Sequence, residues 1–253
     1  TGAARGNGKG AAMVMASEGA TVVLVDVMPE VHHTASSIAA EGYQAASFQV
    51  DISKAPEVNS MVDKLIEQFG KVDILVNNAG VIQLVPLVEM SDEIRDRMFD
   101  INIKGTFICT KAVLPFMIES RYGKIVNLSS VTGTSVADEG ETGYAATKAA
   151  IWGFTKALAV EVAPHGINVN AVCPGMIETD MVRQMAAETN PEDPDNVIVR
   201  MAKGIPMRRL GTAEELGELV AFLASDDSRY ITGASIVIDG GSTLPESRVM
   251  GTS

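Results

Sequence analysis

Short apolar runs rich in Val, Ile and Ala recur along the chain, each followed by a stretch with apolar positions at helical spacing. The runs are ATVVLVD (20–26), QAASFQV (44–50), KVDILVN (71–77), GKIVNLS (123–129), GINVNAV (166–172) and ASIVIDG (234–240). Near-continuous apolar strands are those buried on both faces, and strands alternating with helices build a parallel sheet with helices on either side. The expected fold is therefore α/β, a doubly wound parallel sheet of the Rossmann type. No Pro/Ser-rich linker or charge block divides the chain, so residues 1–253 are read as a single domain. Ligands of such sheets sit outside the carboxyl ends of the strands. The chain opens at Thr1 inside a glycine-rich turn that ordinarily follows a strand. A first strand is expected ahead of it, placing the start of the polypeptide roughly ten residues earlier.

Composition narrows the function classes. A net charge of −12 and a pI near 4.7 argue against a nucleic-acid partner, which needs clustered Lys and Arg. Cys109 and Cys173 lie in apolar surroundings and make neither a disulfide framework nor a metal-ligand spacing, so no metal and a cytoplasmic setting are expected. No uninterrupted apolar run approaches the ~20 residues of a membrane span, and no membrane partner is expected.

Chemistry concentrates between Ser130 and Lys148. Tyr144 and Lys148 form a Tyr-x-x-x-Lys pair, which on a helix stacks both side chains on one face. An ammonium beside a phenol favours the phenolate and brings a tyrosine nearer to acid–base work at neutral pH; a solvated helix face is the alternative. Ser130 follows a buried strand, where a hydroxyl can meet a substrate oxygen.

At the start, glycines at 2, 6 and 8 precede a helical stretch, allowing backbone N–H groups to approach a pyrophosphate. Asp26 ends the next strand at about the ~20-residue distance where dinucleotide folds place a ribose-binding acid. That carboxylate accepts from ribose hydroxyls and repels a 2′-phosphate, favouring NAD over NADP. Arg5, in the glycine loop, is the competing signal, since an arginine can pair with a 2′-phosphate. Asp51 reads equally as a helix cap or an adenine contact. Asn77, Asn78, Ala79 and Gly80 break a strand with small and amide residues that let a ligand come close.

One long helix is expected from a Ser91/Asp92 cap to before Gly123, with Asn102 and Gly105 as poor helix formers inside it. Either it bends there or it carries Asn102 inward; a satisfied buried asparagine is the plain reading. The helix over 143–163 carries small residues Ala149, Gly153 and Ala157, suited to close packing, possibly of a second subunit. Pro174 and Gly175 end a strand abruptly, with Thr179 just beyond. Residues 181–209, with Pro and acid clusters between helical fragments, are read as a substrate loop or lid, a structural insertion being the alternative.

Taken together, Thr1-Gly2-Ala3-Ala4-Arg5-Gly6-Asn7-Gly8, Asn77-Asn78-Ala79-Gly80, Asn102, Ser130, Tyr144-x-x-x-Lys148 and Pro174-Gly175 resemble, in order and over essentially the whole length, the short-chain dehydrogenase/reductase family. The resemblance implies a seven-stranded parallel sheet, a nicotinamide dinucleotide cofactor and a catalytic tetrad of Asn102, Ser130, Tyr144 and Lys148. It implies further that Asp51 and Ile52 flank the adenine, Asn77 the adenosine side, and Ile177 and Thr179 the nicotinamide carboxamide. The other cofactor-binding candidates are Gly2, Arg5, Gly6, Gly8, Asp26, Ala79, Gly80, Pro174 and Gly175, with Tyr144 and Lys148 shared between catalysis and binding. Tyr144 would exchange the proton of a secondary alcohol or ketone, Ser130 hold its oxygen, Lys148 lower the Tyr144 pKa and bind the nicotinamide ribose, and Asn102 anchor a proton-carrying water. A homotetramer, or a dimer, is implied through the helices over 92–119 and 143–163.

Two departures stand out. Asn7 replaces an apolar residue, often Ile, under the glycine turn. The Ser130–Tyr144 gap is one residue longer than usual, leaving Ser129 as an alternative to Ser130. The inserted loop carries Asp138, Glu139 and Glu141; if it lines the pocket it disfavours carboxylates and phosphates and suits polyols or sugars, and otherwise it is simply solvated. Reduction of 3-oxoacyl groups on an acidic carrier needs a basic dock, for which Arg208 and Arg209 are the candidates. A dinucleotide-binding regulator without turnover is the reading from another class.

Overall fold

The computed structural model describes residues 1–245, so that 246–253 of the single domain expected over 1–253 lie outside the described residues. Strand β1 (Val22–Asp26) pairs in parallel with β2 (Ala45–Gln49). Strands β3 (Ile74–Asn77), β4 (Gly123–Leu128), β5 (Ile167–Pro174) and β6 (Ser235–Ile238) pair in parallel in that order. Where seven strands are expected, the described residues carry six, in two sheets. Thr1–Ala3 fill the slot between them: the Thr1 amine donates to Val76 O of β3 at 3.0 Å and Ala3 N to Val25 O of β1 at 3.2 Å. Three residues give one bond to each side, too few for a ladder.

Helices cover both faces. The strand pleat sends successive residues to opposite sides. Leu24, Val126 and Val172 join one core with α1 (Gly6–Ser17), α2 (Glu30–Ala40) and α9 (Ala213–Ala224). Their strand neighbours Val25 and Ile125, with Val169, join the other core with α3 (Ala55–Phe69), α5 (Gly105–Ser120) and α6 (Thr142–Val162). All six residues of β4 are buried, as expected of an inner parallel strand.

The expected long helix forms and changes winding at the place where its sequence is weakest. α4 (Asp92–Phe99), opened by Ser91 accepting from Ile94 N, runs through a π-helical turn at Asp100–Lys104 into α5. The widened turn buries Asn102, and Gly105 after it admits Ile52, whose Cδ1 lies 2.6 Å from where a Cβ would stand. By length and mean hydropathy this 29-residue helix would pass for a membrane span, which a search for uninterrupted apolar runs does not reveal. Here Cys109, Val113 and Met117 face the core instead.

The stretch read as a lid contains two helices packed on each other, α7 (Asp180–Thr189) and α8 (Pro194–Lys203), opened by Thr179 and Asp193 side chains.

Candidate active site

The carboxyl ends of β3, β4 and β5 and the first turns of α6 meet at one place. Lys148 is buried, and its Nζ donates to Leu128 O at the end of β4 at 2.7 Å. Ser129 spends its hydroxyl on Lys148 O at 2.8 Å. The neighbouring Ser130 instead stands beside the Tyr144 phenol and pulls its pKa down, while its Oγ accepts from Thr132 N at 3.1 Å. Of the two serines, Ser130 is thus the one beside the phenol.

Burial dominates the titration of the pair. It pushes the Tyr144 phenol up to about 12, against the pull of the Ser130 bond, and the Glu141 charge adds to the rise. Burial likewise brings the Lys148 ammonium down to about 8. The phenol is therefore raised, opposite to the lowering expected from its neighbouring ammonium. The reason is geometric: Lys148 Nζ lies 5.7 Å from the Tyr144 ring centroid and is spent on a backbone carbonyl, too little to offset desolvation. At pH 7 the pair stands as phenol and ammonium.

Asn102 accepts from Val81 N at 2.8 Å and donates to Val81 O at 2.9 Å and Thr147 Oγ1 at 3.0 Å. Its amide thus clamps the loop after β3 to α6. A Cβ on Gly80 would stand 3.2 Å from Asn102 Oδ1 and 3.5 Å from Lys148 Nζ. The missing side chain leaves Asn102, Gly80 and Lys148 adjacent.

The glycine loop is stitched to the same region. Gly2 and Gly6 have φ of 64° and 57°, the left-handed region glycine favours. Asn78 Nδ2 donates to Thr1 O at 2.9 Å and Gly2 O at 3.1 Å, and Thr1 Oγ1 accepts from Asn78 N and Ala79 N. Thr1 and Asn78, which the sequence shows only as members of their motifs, are positioning residues that tie the glycine loop to the end of β3. Asp26 accepts from Ala4 N and Met28 N, both at 3.0 Å, so it braces the loop while keeping acceptor capacity on each oxygen. Arg5 is exposed at the helix start.

The remaining candidates divide. Thr179 lies 3.6 Å from where a Gly6 Cβ would stand, bringing the glycine loop against the segment after β5. Gly175 packs on Asp239, and Ile177 is buried beside Gly211. Asp51 accepts from Ser53 N and Oγ and pairs with Lys54, a local turn, while Ile52 packs under Gly105. Asn77 turns inward, donating to Thr110 Oγ1 and Asn127 Oδ1; its side chain ties β3 to β4 and α5.

These residues fit a dinucleotide: a glycine cradle at the start of α1, an acid at the end of β1, and a Tyr–Ser–Lys cluster beyond. Asn7 fits least comfortably, for its Oδ1 is buried without a partner. An unpartnered buried acceptor costs about 1–3 kcal/mol. Asn7→Ile is expected to raise the melting temperature of the dinucleotide-free protein by about 2–4 °C per kcal/mol recovered. Differential scanning fluorimetry checks this, and a lower melting temperature would show that the amide is satisfied.

Comparison with known proteins gives a consistent picture. A family model described as "Enoyl-(Acyl carrier protein) reductase" matches residues 2–243. Oxidoreductase UcpA of Escherichia coli (strain K12) is 51% identical over 251 residues, covering 99% of this chain and 95% of the relative. The 3-oxoacyl-[acyl-carrier-protein] reductase FabG of Thermotoga maritima is 40% identical over 245 residues, 95% of each chain. The ligand-free structure of aldohexose dehydrogenase (AldT) from Thermoplasma acidophilum superposes with a TM-score of 0.89 at 30% identity, covering 100% of this chain and 94% of its own. With the glycine loop, the Ser130–Tyr144–Lys148 cluster and the doubly wound sheet, these matches establish that the chain belongs to the short-chain dehydrogenase/reductase family, as a nicotinamide-dinucleotide-dependent oxidoreductase acting on CH–OH groups.

Proposed function

We propose that the protein interconverts a secondary alcohol and a ketone by hydride transfer, with Tyr144 as acid and base and a polyol or sugar-like substrate. The observation that carries this is the Ser130 hydroxyl standing beside the Tyr144 phenol, with Lys148 and Asn102 adjacent across Gly80. Two hydroxyls converging on one point suit a carbinol or carbonyl oxygen. The dinucleotide, when bound, supplies the hydride acceptor or donor. Gly2, Gly6 and Gly8 would hold its pyrophosphate, Asp26 its adenosine ribose and Lys148 its nicotinamide ribose.

In the oxidative direction Tyr144 takes the alcohol proton while Ser130 holds the same oxygen. Lys148 would bind the nicotinamide ribose, and Asn102 orients water that carries the proton away. Reduction runs the same path backwards. Asp26 supports NAD over NADP, its carboxylate being held in place at the loop by two backbone donors. The polyol reading draws support from the acidic residues before Tyr144 and from the aldohexose dehydrogenase named above.

Reduction of 3-oxoacyl groups is the second reading, favoured by the FabG relative. Its expected dock is weak: Arg209 donates two hydrogen bonds to the Glu215 carboxylate and Arg208 donates to Lys203 O. We propose also a cytoplasmic homotetramer built on α5 and α6, where Phe107, Trp152 and Val160 are exposed and Gly153 faces open space. Turnover of a polyol, sugar, secondary-alcohol and 3-oxoacyl panel with NAD(H) and NADP(H) is the test. NAD-linked oxidation of polyols is expected; NADPH-linked reduction confined to 3-oxoacyl thioesters would overturn both assignments.

A further inference from the structure

We propose that Glu141 is the specificity-determining residue of this site, its carboxylate admitting neutral hydroxylated substrates and turning away those with an anionic group near the reacting carbon. The inference rests on the oxidoreductase reading above and assigns its selectivity to one residue.

Placement comes first. Glu141 is the N-cap of α6, three residues before Tyr144 and seven before Lys148. That spacing follows one helix face, so the face that presents Tyr144 and Lys148 to the site presents Glu141 as well. Of the three acids in the preceding loop, Asp138 and Glu139 are exposed whereas Glu141 is half-buried.

Its carboxylate is fixed in position. Glu141 Oε2 accepts from Asp138 N at 2.8 Å and is 3.4 Å from the Thr132 hydroxyl. Thr132 in turn donates its N–H to Ser130 Oγ at 3.1 Å. A hydrogen-bonded path thus joins Glu141 to the hydroxyl that meets the substrate oxygen. The charge reaches Tyr144 too, where it opposes ionisation of the phenol. Among the described residues Glu141 Oε1 takes no hydrogen bond. A free, oriented carboxylate oxygen accepts from a substrate hydroxyl, and a substrate carboxylate or phosphate in the same place meets like charge.

The test compares two four-carbon secondary alcohols, 2,3-butanediol and 3-hydroxybutanoate, which differ in a hydroxyl against a carboxylate beside the carbinol. Oxidation with NAD is measured for wild type, Glu141→Gln and Glu141→Asp. Wild type is expected to favour the diol. Glu141→Gln keeps an acceptor for Asp138 N but loses the charge, and narrows the preference about tenfold, chiefly through the KM for 3-hydroxybutanoate. Glu141→Asp retains most of the preference. An unchanged ratio in Glu141→Gln overturns the inference and leaves the oxidoreductase reading standing. So does an equal loss on both probes in both variants, which marks Glu141 as structural only. A wild type that favours 3-hydroxybutanoate over the diol likewise overturns the inference and leaves the oxidoreductase reading standing.

Discussion

Tyr144→Phe is expected to lower kcat by about 10²- to 10⁴-fold, the range for a positioned proton-transfer group. The ring fills the same half-buried space, so the change removes only the hydroxyl that meets Ser130. Ser130 keeps its contact with Thr132 N and the fold keeps its packing. Dinucleotide affinity, read by fluorescence titration, should stay within about threefold of wild type, since one hydrogen bond at most is lost. The pH profile adds a second mark. With the phenol pushed up to about 12, the proton-accepting form is scarce at neutrality, and oxidative kcat/KM should climb as pH rises. Reduction draws on the protonated phenol, already dominant, and should not climb. Turnover near wild type in Tyr144→Phe would refute the assignment of the acid–base group.

Gly8→Ala should be the most damaging small substitution in the glycine loop. A Cβ there would stand 2.2 Å from Gly2 O and 2.6 Å from Asn78 Nδ2. Neither neighbour can yield cheaply: Gly2 O is backbone, and Asn78 Nδ2 is held by Thr1 O and Gly2 O. Relief requires the start of α1 to move off Thr1–Gly2, opening the pyrophosphate cradle. The expected cost is up to about 3 kcal/mol, or about 6–12 °C in melting temperature for a chain of this length. Dinucleotide affinity should fall at least about 100-fold, as two or more backbone N–H contacts lose their geometry. Calorimetric titration and a melting curve read both quantities. Wild-type values for both would show that the start of α1 shifts off Thr1–Gly2 at little cost.

The site was legible to different depths at different residues. Tyr144 and Lys148 share a face because four residues make about one helical turn, which holds on any helix. The glycines at 2, 6 and 8 stand out because left-handed backbone and close approach both select glycine. Asn102 was marked by its poor helix propensity, but its π-helical turn and its clamp on Val81 depend on what packs across from it. Asn77 shows the limit of pattern: its motif suggests a ligand contact, whereas Thr110 and Asn127 draw its amide into the interior. Thr1 and Asn78 went unweighted because their partners lie more than seventy residues away in the chain.

By itself the sequence determined the doubly wound order of strands and helices, the glycine cradle, and the face on which Tyr144 and Lys148 stand together. Each follows from local periodicity, strand burial or backbone freedom, and these act over a few residues. Only the tertiary structure decided that Ser130 rather than Ser129 stands beside the phenol, that Asp26 braces the glycine loop, and that Glu141 is half-buried and held by Asp138 N while Asp138 and Glu139 are exposed. It alone decided the sense of the Tyr144 shift, because desolvation is set by everything packed around a group and outweighs a charge 5.7 Å from its ring.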